Sequence, residues 1–134
     1  ENESHVIPGI MHKMHTAKVN NDSNFKIWGS GKPLREFLYV DDLSSAIEYL
    51  LVNNINTDLL NVGSGEEISI LDLANKIKEV IGYEGSIELD HDKPDGNPRK
   101  LLDSSKINEL GWKSEISLVD GLKKTYSWYL ENIL

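Results

Sequence analysis

Apolar residues recur at helical spacing in two segments of the first half of the chain. Positions three or four residues apart share one face of an α-helix, so this spacing predicts amphipathic helices. The first is predicted over residues 6–18, with an apolar face of Val6, Ile10, Met11, Met14 and Ala17. The second is predicted to start at an N-cap, Asp41 or Asp42. It would bury Leu43, Ala46, Ile47, Leu50 and Leu51.

A third helix is indicated by its start and stop residues as well as by its spacing. Ser69 followed by Asp72 fits a capping box, in which the first side chain accepts a hydrogen bond from the backbone of the second. Gly82 fits the position after a helix C-terminus. The apolar stripe between them is formed by Ile70, Leu73, Ala74, Ile77, Val80 and Ile81.

Two more helices are predicted in the last third of the chain. Asp103 is placed to cap a short helix that ends near Gly111. Ser117 and Asp120 open the final helix. Its inward face would be formed by Leu118, Leu122, Tyr126, Tyr129 and Ile133.

Short segments typical of strands alternate with these helices. They lie at residues 25–28, 36–40, 59–62 and 86–89, with loops at 29–33 and 90–99. No repeat, low-complexity tract or flexible linker interrupts the pattern. We therefore expect one domain, residues 1–134, of the α/β or α+β class.

Charge and composition exclude several classes of protein. The 134 residues hold 14 basic against 22 acidic side chains, a formal net charge of −8, whereas a non-specific nucleic-acid binder is normally basic. The apolar runs are too short to cross a membrane. The absence of cysteine excludes disulfides, thiolate metal sites and cysteine nucleophiles within these residues. We expect a cytoplasmic protein with no nucleic-acid or membrane partner.

The first loop with candidate chemistry is W-G-S-G-K-P-L-R at residues 28–35. Its glycines would let the backbone approach a ligand, and Arg35 can donate two parallel hydrogen bonds to a diphosphate. A structural interpretation is also open. It would place Trp28 in the core of a hairpin. Arg35 would then pair with Asp41 or Asp42.

The second loop is K-P-D-G-N-P-R-K at residues 93–100. Two prolines stiffen a segment that holds three cations and one carboxylate, which could bind phosphates and a ribose hydroxyl. A solvated turn is the alternative. His5 is a histidine, a residue type often used for acid–base work near neutral pH, and Lys13 lies just over two helical turns further along. Each also fits an ordinary surface position.

Several expected motifs are absent from the sequence. A dinucleotide fold needs G-x-G-x-x-G between a strand and a helix, and both glycine pairs here lack the third glycine. A P-loop, a Tyr-x-x-x-Lys pair, H-E-x-x-H and an acidic metal cluster are also missing. These residues alone therefore predict no redox chemistry, no cofactor site and no metal site.

Four strings together resemble the C-terminal part of the GDP-L-fucose synthase family, within the extended short-chain dehydrogenase/reductases. They are S-H-V-I-P (4–8), W-G-S-G-K-P-L-R-E-F-L-Y-V-D-D (28–42), N-V-G-S-G (61–65) and K-P-D-G-N-P-R-K-L-L-D (93–103). Many nucleotide-sugar epimerases and dehydratases share R-E-F-x-x-V-D-D and N-V-G-x-G, whereas the first and last strings are more specific. The closing strings at 110–118 and 125–132 also match, so the resemblance spans essentially the whole chain.

The resemblance implies a two-step enzyme. Family members epimerise GDP-4-keto-6-deoxy-D-mannose at C3 and C5 and then reduce C4 with NADPH, which gives GDP-L-fucose. Their N-terminal Rossmann domain carries the glycine fingerprint, the reduction residues and an epimerisation cysteine. This chain would be the α/β C-terminal substrate-binding lobe without that domain, inactive alone. The full-length enzyme would use NADP, bind a GDP-sugar and form a homodimer.

Site residues follow from the same resemblance. His5 matches the catalytic histidine that partners the missing cysteine in epimerisation. The substrate contacts would be Lys13, Trp28, Arg35, Asp95 and Lys100. Arg35 is the best candidate for the diphosphate and Lys100 for a second phosphate contact. The role of Arg99 stays open, with an ion pair to Asp103 as one alternative.

Two other hypotheses remain: a fragment of another nucleotide-sugar epimerase or dehydratase, and a free-standing nucleotide-sugar-binding module. The family interpretation makes two structural predictions. The loops at 28–35 and 93–100 should converge on one face. The absence of the Rossmann domain should leave a contiguous apolar patch exposed.

Overall fold

Helices and strands interleave along residues 5–133, the part of the chain that the computed structural model describes. The elements are α1 (Val6–Asn20), β1 (Asn24–Trp28), β2 (Leu34–Glu36), α2 (Val40–Val52), β3 (Glu67–Ser69), α3 (Ile70–Ile81), β4 (Ser86–Asp90), β5 (Arg99–Lys100), α4 (Ser105–Glu109) and α5 (Leu118–Asn132). This order confirms the α/β class. Among these helices, none has the length and apolar character needed to cross a membrane.

The strands form two small sheets. β1 pairs in parallel with β4, with Trp28 opposite Asp90. β2 lies between an antiparallel neighbour, β3, and a parallel neighbour, β5, so that Arg35 stands opposite Ile68 on one side and Lys100 on the other. Since β1 and β2 belong to different sheets, the hairpin interpretation of their loop is wrong.

The main core lies between α1, α3, α5 and β1. Its most deeply buried side chains are Met11, Met14, Leu73, Ile77 and Leu122. Burial of one such side chain contributes about 1.5–3 kcal/mol to stability. The predicted inward faces of α1 and α3 are confirmed here, except that Val6 in the first turn of α1 stays exposed.

The predicted helix caps of α3 and α5 are also confirmed. Ser69 Oγ accepts a hydrogen bond from the Asp72 N–H at 3.0 Å, and Gly82 ends α3 in the left-handed conformation with φ +68°. Ser117 Oγ accepts from the Asp120 N–H at 3.2 Å. Each cap satisfies an amide that has no partner inside its helix.

A second, smaller cluster packs α2 against α4. Ala46, Ile107 and Trp112 are its buried members, and Leu60 and Val62 pack against it. The indole N–H of Trp112 donates to the hydroxyl of Ser45 on α2 at 3.0 Å. This cluster holds the segment after α2 close to the fold although no strand forms there.

The strand predicted at residues 36–40 is wrong in position. β2 ends at Glu36, and α2 already begins at Val40. The ladder stops there because Glu36 stands opposite Glu67, the first residue of β3, and β5 is only two residues long. A strand cannot extend where its neighbours offer no backbone groups to pair with.

The strand predicted at residues 59–62 does not form. This segment pairs with no strand of residues 5–133. Leu59 is 77% exposed, whereas Leu60 and Val62 are half-buried against the second cluster. The segment is rich in apolar residues, but it lacks a neighbouring strand to which its backbone could hydrogen-bond.

α2 differs from prediction in both its cap and its buried face. Tyr39 is the N-cap, and Asp41 and Asp42 lie in the first turn. Of the five residues predicted to be buried, only Ala46 is fully buried, and Leu50 is intermediate. Leu43, Ile47 and Leu51 remain exposed, and with Val40 they line one face of the helix. No described element packs over this face, so the predicted apolar patch is present.

Two smaller differences concern α4 and α5. The carboxylate of Asp103 accepts the N–H of Ser105 at 3.0 Å, but the N-cap of α4 is Ser104, one residue later than predicted. Ile133 was expected on the buried face of α5, yet it is exposed because the helix ends at Asn132.

Candidate functional site

Two loops from distant parts of the chain meet beside β1 and β4. One loop follows Trp28 at the end of β1, and the other follows Asp90 at the end of β4. Because these strands are parallel and in register, both loops leave the sheet at the same edge. The N–H of Gly29 donates to the carbonyl of Asp90 at 2.9 Å, which joins the two loops at their base. The predicted convergence of the loops is confirmed.

A cavity of about 320 Å³ opens at this edge. Five of the six residues that the family resemblance implicates line it: His5, Lys13, Trp28, Arg35 and Asp95. Its apolar wall is made by Ile10, Phe25, Ile27 and Ile70, which belong to the main core or pack against it. The cavity therefore combines a rigid apolar base with charged groups at its mouth.

Lys100, the sixth residue, lies beside the cavity but does not line it. It is exposed on β5, in register with Arg35 on β2. Side chains of register partners point to the same face of a sheet, and neighbouring strands are about 4.8 Å apart. Lys100 and Arg35 therefore share a face, as a joint phosphate contact would require.

Trp28 stands exposed at the mouth with two ammonium groups over its ring. Its side chain is 56% exposed, so the structural interpretation that put Trp28 in the core is wrong. The Nζ atom of Lys13 lies 5.4 Å from the ring centroid and that of Lys93 lies 5.6 Å away. Both distances are within the range of cation–π attraction. Two cations, one from α1 and one from the second loop, therefore lie over this ring beside the cavity.

Arg35 has no carboxylate partner among the described residues. Its Nη1 donates to the carbonyl of Leu34 at 2.7 Å, and its other terminal nitrogen lies next to Gly96. The ion pairs of residues 5–133 are Arg99–Glu67 and Lys124–Asp41. The expected alternative, Arg35 paired to Asp41 or Asp42, is therefore wrong. Asp42 is instead buried.

Among the described residues that line the cavity, Asp95 is the only carboxylate, and each of its oxygens accepts a hydrogen bond. The backbone N–H of Ser30 donates to one oxygen and the Ser30 hydroxyl to the other, each at 2.7 Å. These hydrogen bonds hold the pKa of Asp95 below its usual range, with His91 and Lys32 as weaker electrostatic contributors. Asp95 therefore stays ionised at neutral pH.

His5 lies at the start of α1. Its carbonyl accepts the N–H of Gly9 at 2.9 Å, and its exposed side chain contributes to the cavity wall. Lys13 lines the same cavity from further along the helix. The sequence interpretation that put these two side chains on a similar face of α1 agrees with this arrangement.

Arg99 belongs to a structural ion pair. Its Nε and Nη2 donate to the two carboxylate oxygens of Glu67, each at 2.7 Å. The alternative pairing with Asp103 is wrong. The contact lowers the pKa of Glu67 and raises that of Arg99, in each case mainly through the side-chain hydrogen bond. Because Glu67 is on β3 and Arg99 on β5, the pair bridges the two outer strands of the sheet across β2.

A larger concavity, about 770 Å³, lies between α3 and the start of α5. Within residues 5–133, this lining holds one cation, Lys76, and five carboxylates: Glu66, Glu67, Asp72, Glu79 and Glu115. Such a lining repels an anionic ligand. For a phosphorylated ligand, the smaller cavity beside Trp28 is the better site.

Two residues beside this cavity, Ser30 and Lys93, make contacts that the sequence does not single out. In the sequence, Lys93 is one of three cations in the second loop, and Ser30 is one residue of the first. The signal for Ser30 was its position between two glycines, since a tight turn exposes the amide at its centre to an acceptor. Nothing in the spacing of Lys93 indicates its approach to Trp28, which depends on the parallel pairing of β1 and β4. Among residues 5–133, no three His, Cys, Asp or Glu side chains are grouped to bind a metal ion.

Comparison with known proteins confirms the family resemblance. The NAD dependent epimerase/dehydratase family matches residues 1–63. GDP-L-fucose synthase 1 of Arabidopsis thaliana is 52% identical over 130 residues, which is 97% of this chain and 40% of that protein. GDP-L-fucose synthase of Escherichia coli K12 is 44% identical over 138 residues, which is 96% of this chain and 43% of that protein. This chain resembles the C-terminal part of these relatives and spans only about 40% of their length.

Solved structures show the same likeness. A GDP-L-fucose synthetase from Naegleria fowleri superposes with a TM-score of 0.87 at 31% identity, over 98% of this chain and 41% of that one. The same protein with NADP bound gives a TM-score of 0.85. The fold described above is therefore that of the corresponding region of these enzymes.

Proposed function

We propose that this chain is the substrate-binding lobe of a cytoplasmic GDP-L-fucose synthase. The full-length enzyme would convert GDP-4-keto-6-deoxy-D-mannose to GDP-L-fucose by epimerisation at C3 and C5 and NADPH-dependent reduction at C4. It would act as a homodimer. The similarity to synthases from plants and bacteria along nearly the whole chain supports this proposal.

In this proposal, the chain itself does not bind NADP. The sequence has no G-x-G-x-x-G fingerprint between a strand and a helix, which is the motif that binds a dinucleotide pyrophosphate. The exposed face of α2 supports a second segment of protein packed there. We assign the cofactor to that segment and the sugar nucleotide to this chain.

In the proposed mechanism, the cations at the mouth of the cavity bind the diphosphate. Arg35 offers a planar fork that matches a phosphate group, and Lys13 adds a point charge beside the Trp28 ring. Lys100 reinforces Arg35 from the neighbouring strand. His5 exchanges a proton with the carbon next to the sugar ketone, a step suited to imidazole near neutral pH.

The observation that carries the proposal is the charge of this cavity. The whole chain has a formal net charge of −8, yet Lys13 and Arg35 line this cavity and Lys93 lies over the Trp28 ring beside it, and none of the three forms an ion pair among the described residues. Uncompensated cations that converge beside an exposed aromatic ring favour a ligand with phosphates and a ring to stack.

GDP binding to the purified chain tests the proposal. We expect a Kd of roughly 1 mM, because the half-open cavity leaves the ion pairs screened by water. Arg35→Ala should weaken binding about tenfold or more, since a charge-assisted hydrogen bond contributes about 1.5–3 kcal/mol. Lys123→Ala, an exposed lysine on α5, is the matched control and should leave the Kd unchanged. If the Arg35→Ala variant binds GDP with the same Kd as the parent chain, the proposal is overturned.

A further inference from the structure

Ser30 makes two hydrogen bonds to Asp95, one from its backbone and one from its side chain. Its N–H donates to one carboxylate oxygen and its hydroxyl to the other, as described above. Ser30 lies in the loop that follows β1, whereas Asp95 lies in the loop that follows β4. One residue of the first loop therefore fixes both oxygens of a carboxylate that the second loop brings to the cavity.

The backbone on either side of Ser30 directs its hydroxyl toward Asp95. The N–H of Lys32 donates to Ser30 Oγ at 3.2 Å, which uses a lone pair of the hydroxyl. The single hydroxyl hydrogen is donated to the ionised carboxylate, which can only accept. On the other side, Gly29 has a φ of +77°, and a Cβ atom there would overlap the carboxylate of Asp95. The turn therefore holds Ser30 close against Asp95.

These hydrogen bonds leave Asp95 ordered and still able to bind a ligand. Asp95 is exposed at the mouth of the cavity, where an unrestrained carboxylate side chain would sample several rotamers. Each oxygen uses one lone pair on Ser30 and keeps a second one. Since a carboxylate repels phosphates, the group of a sugar nucleotide that these free lone pairs can accept from is a hydroxyl.

We infer, on the basis of the proposed function, that Ser30 is a positioning residue, which presents the carboxylate of Asp95 to a hydroxyl of the sugar nucleotide. Ser30 is not among the described residues that line the cavity, so it acts through Asp95 and not through a contact of its own. Because Asp95 is ordered before the ligand arrives, binding does not have to restrict its rotamers, and the affinity is higher. The family resemblance implied the contact of Asp95 but no role for Ser30.

GDP titrations of Ser30 variants test this role. Ser30→Ala removes the hydroxyl, and we expect the Kd for GDP to rise about threefold to tenfold. Ser30→Thr keeps a hydroxyl and should bring the Kd back to within about twofold of that of the parent chain. In an Asp95→Ala background, Ser30→Ala should have no further effect, because the group through which Ser30 acts is absent.

Ser64→Ala is the matched control. Ser64 also lies between two glycines, and its Oγ accepts the N–H of the residue two positions later, Glu66, at 3.3 Å. It lines the acidic concavity beside α3 and not the cavity beside Trp28. Its removal should therefore leave the Kd for GDP unchanged.

Two results of these titrations would overturn the inference. If Ser30→Ala binds GDP as tightly as the parent chain, Asp95 does not depend on Ser30 for its position. If Ser30→Ala weakens binding in the Asp95→Ala background as much as it does alone, Ser30 touches the ligand itself.

A measurement without ligand gives a readout that a merely structural role of Ser30 would not move. The hydrogen bonds from Ser30 are the main cause of the lowered pKa of Asp95, and the hydroxyl is the largest contributor. In Ser30→Ala this pKa should rise toward the ordinary value of an aspartate, and in Ser30→Thr it should stay low. The carboxyl carbon-13 NMR signal of Asp95, assigned through Asp95→Asn, follows the titration. The weaker electrostatic contributors, His91 and Lys32, are the same in both variants.

The two measurements separate this inference from the proposed function. If the parent chain does not bind GDP, the proposed function fails, and the NMR titration alone decides the role of Ser30. A higher pKa of Asp95 in Ser30→Ala then supports its hold on the carboxylate, and an unchanged pKa overturns it. If GDP binds but Ser30→Ala changes neither the Kd nor the pKa of Asp95, the inference is wrong and the proposed function stands.

Discussion

Buried or engaged carboxylates explain why several motif residues occur together. Glu36 accepts hydrogen bonds from the backbone N–H groups of Gly65 and Leu102, at 2.7 and 3.0 Å. It therefore ties the R-E-F string to the N-V-G-S-G and K-L-L-D strings. Asp42 is buried and accepts from the backbone of residues 115–116. These carboxylates satisfy backbone amides that would otherwise be left without a partner. Their role is to hold loops together.

Gly29 provides the sharpest test at the residue scale. Gly29→Ala should destabilise the fold by more than Gly65→Ala, although both glycines have nearly the same φ, +77° and +76°. The Cβ atom of an alanine at Gly65 would meet no atom within 4 Å. The Gly65→Ala variant therefore loses only the free energy of placing alanine in the left-handed conformation, about 1–2 kcal/mol. An alanine at Gly29 must also displace Asp95. Urea unfolding of both variants measures the difference.

Equal loss of stability in the two variants would contradict the close fit at Gly29. Asp95→Ala combined with Gly29→Ala provides the control. Removal of the Asp95 carboxylate makes room for the new methyl group, so the double variant should be less destabilised than the sum of the single variants.

The sequence identified the residue types at the site better than it identified their partners. Arg35 and Arg99 each follow a proline by one or two positions, in the two strings that the sequence marks as candidate ligand-binding loops. Only the fold shows that Arg99 meets Glu67, while Arg35 has no carboxylate partner among the described residues. The Arg99 pairing spans 32 positions along the chain and depends on the register of β2 with two neighbours. Spacing along a single sequence does not encode that register.

At the scale of elements, helices were predicted well and strands less well. The caps of α3 and α5 are local, since Ser69 and Asp72 are only three residues apart. A strand depends on a neighbour that is distant in sequence. The segment at 59–62 is rich in apolar residues but lacks that neighbour, and β2 ends where its partner strands end.

The ion pair across the three-stranded sheet predicts a pH dependence of stability. The pKa of Glu67 is lowered in the folded chain by the hydrogen bonds from Arg99. A group with a depressed folded pKa contributes stability above its unfolded pKa, ordinarily about 4.3, and loses it as the pH falls through the folded value. The melting temperature should therefore fall between about pH 5 and pH 3 by more in the parent chain than in Arg99→Gln. An equal fall in melting temperature in the two proteins would show that solvent fully screens the exposed Arg99–Glu67 pair.

The exposed stripe of α2 predicts how the helix responds to polar substitution. Val40, Leu43, Ile47 and Leu51 lie at helical spacing on one solvent-facing side. Ile47→Lys should change the free energy of unfolding by no more than about 0.5 kcal/mol, since it removes no buried contact. Leu73→Ala, at a fully buried position, should cost about 2–5 kcal/mol. Urea unfolding compares the two.

Self-association gives a second measurement on this stripe. At high concentration we expect the parent chain to associate through its apolar face and Ile47→Lys to remain monomeric in sedimentation experiments. An Ile47→Lys variant that unfolds as readily as Leu73→Ala would show that the face is already covered within the chain.

At the scale of the whole molecule, the mouth of the Trp28 cavity carries charge opposite in sign to the net charge of the chain. The acidic concavity beside α3 and the cationic mouth beside Trp28 lie on a chain with a formal net charge of −8. Coulomb repulsion from the first region and attraction by the second both direct an anionic ligand toward the Trp28 cavity, most strongly at low salt. The binding of GDP should therefore weaken as the ionic strength rises.

The isolated chain is expected to have no epimerase or reductase activity. Reduction at C4 requires a bound hydride donor, and the sequence has neither a dinucleotide fingerprint nor a Tyr-x-x-x-Lys pair. Epimerisation at C3 and C5 requires two groups that exchange protons on opposite sides of the sugar, and His5 has no cysteine partner because the chain contains none. Solvent in the open cavity beside Trp28 further screens the charges that would stabilise a carbanion.

Two assays on the purified chain test this expectation with GDP-4-keto-6-deoxy-D-mannose as substrate. NADPH absorbance reports reduction, and deuterium incorporation at C3 and C5 in heavy water reports epimerisation. Both rates should equal those of a boiled sample, and titration with NADP should show no binding, while the full-length Escherichia coli relative serves as the active control. Turnover above the boiled sample would mean that the catalytic groups lie within these 134 residues. Deuterium exchange without reduction, abolished by His5→Ala, would instead identify His5 as a proton-exchanging group that works without a cysteine.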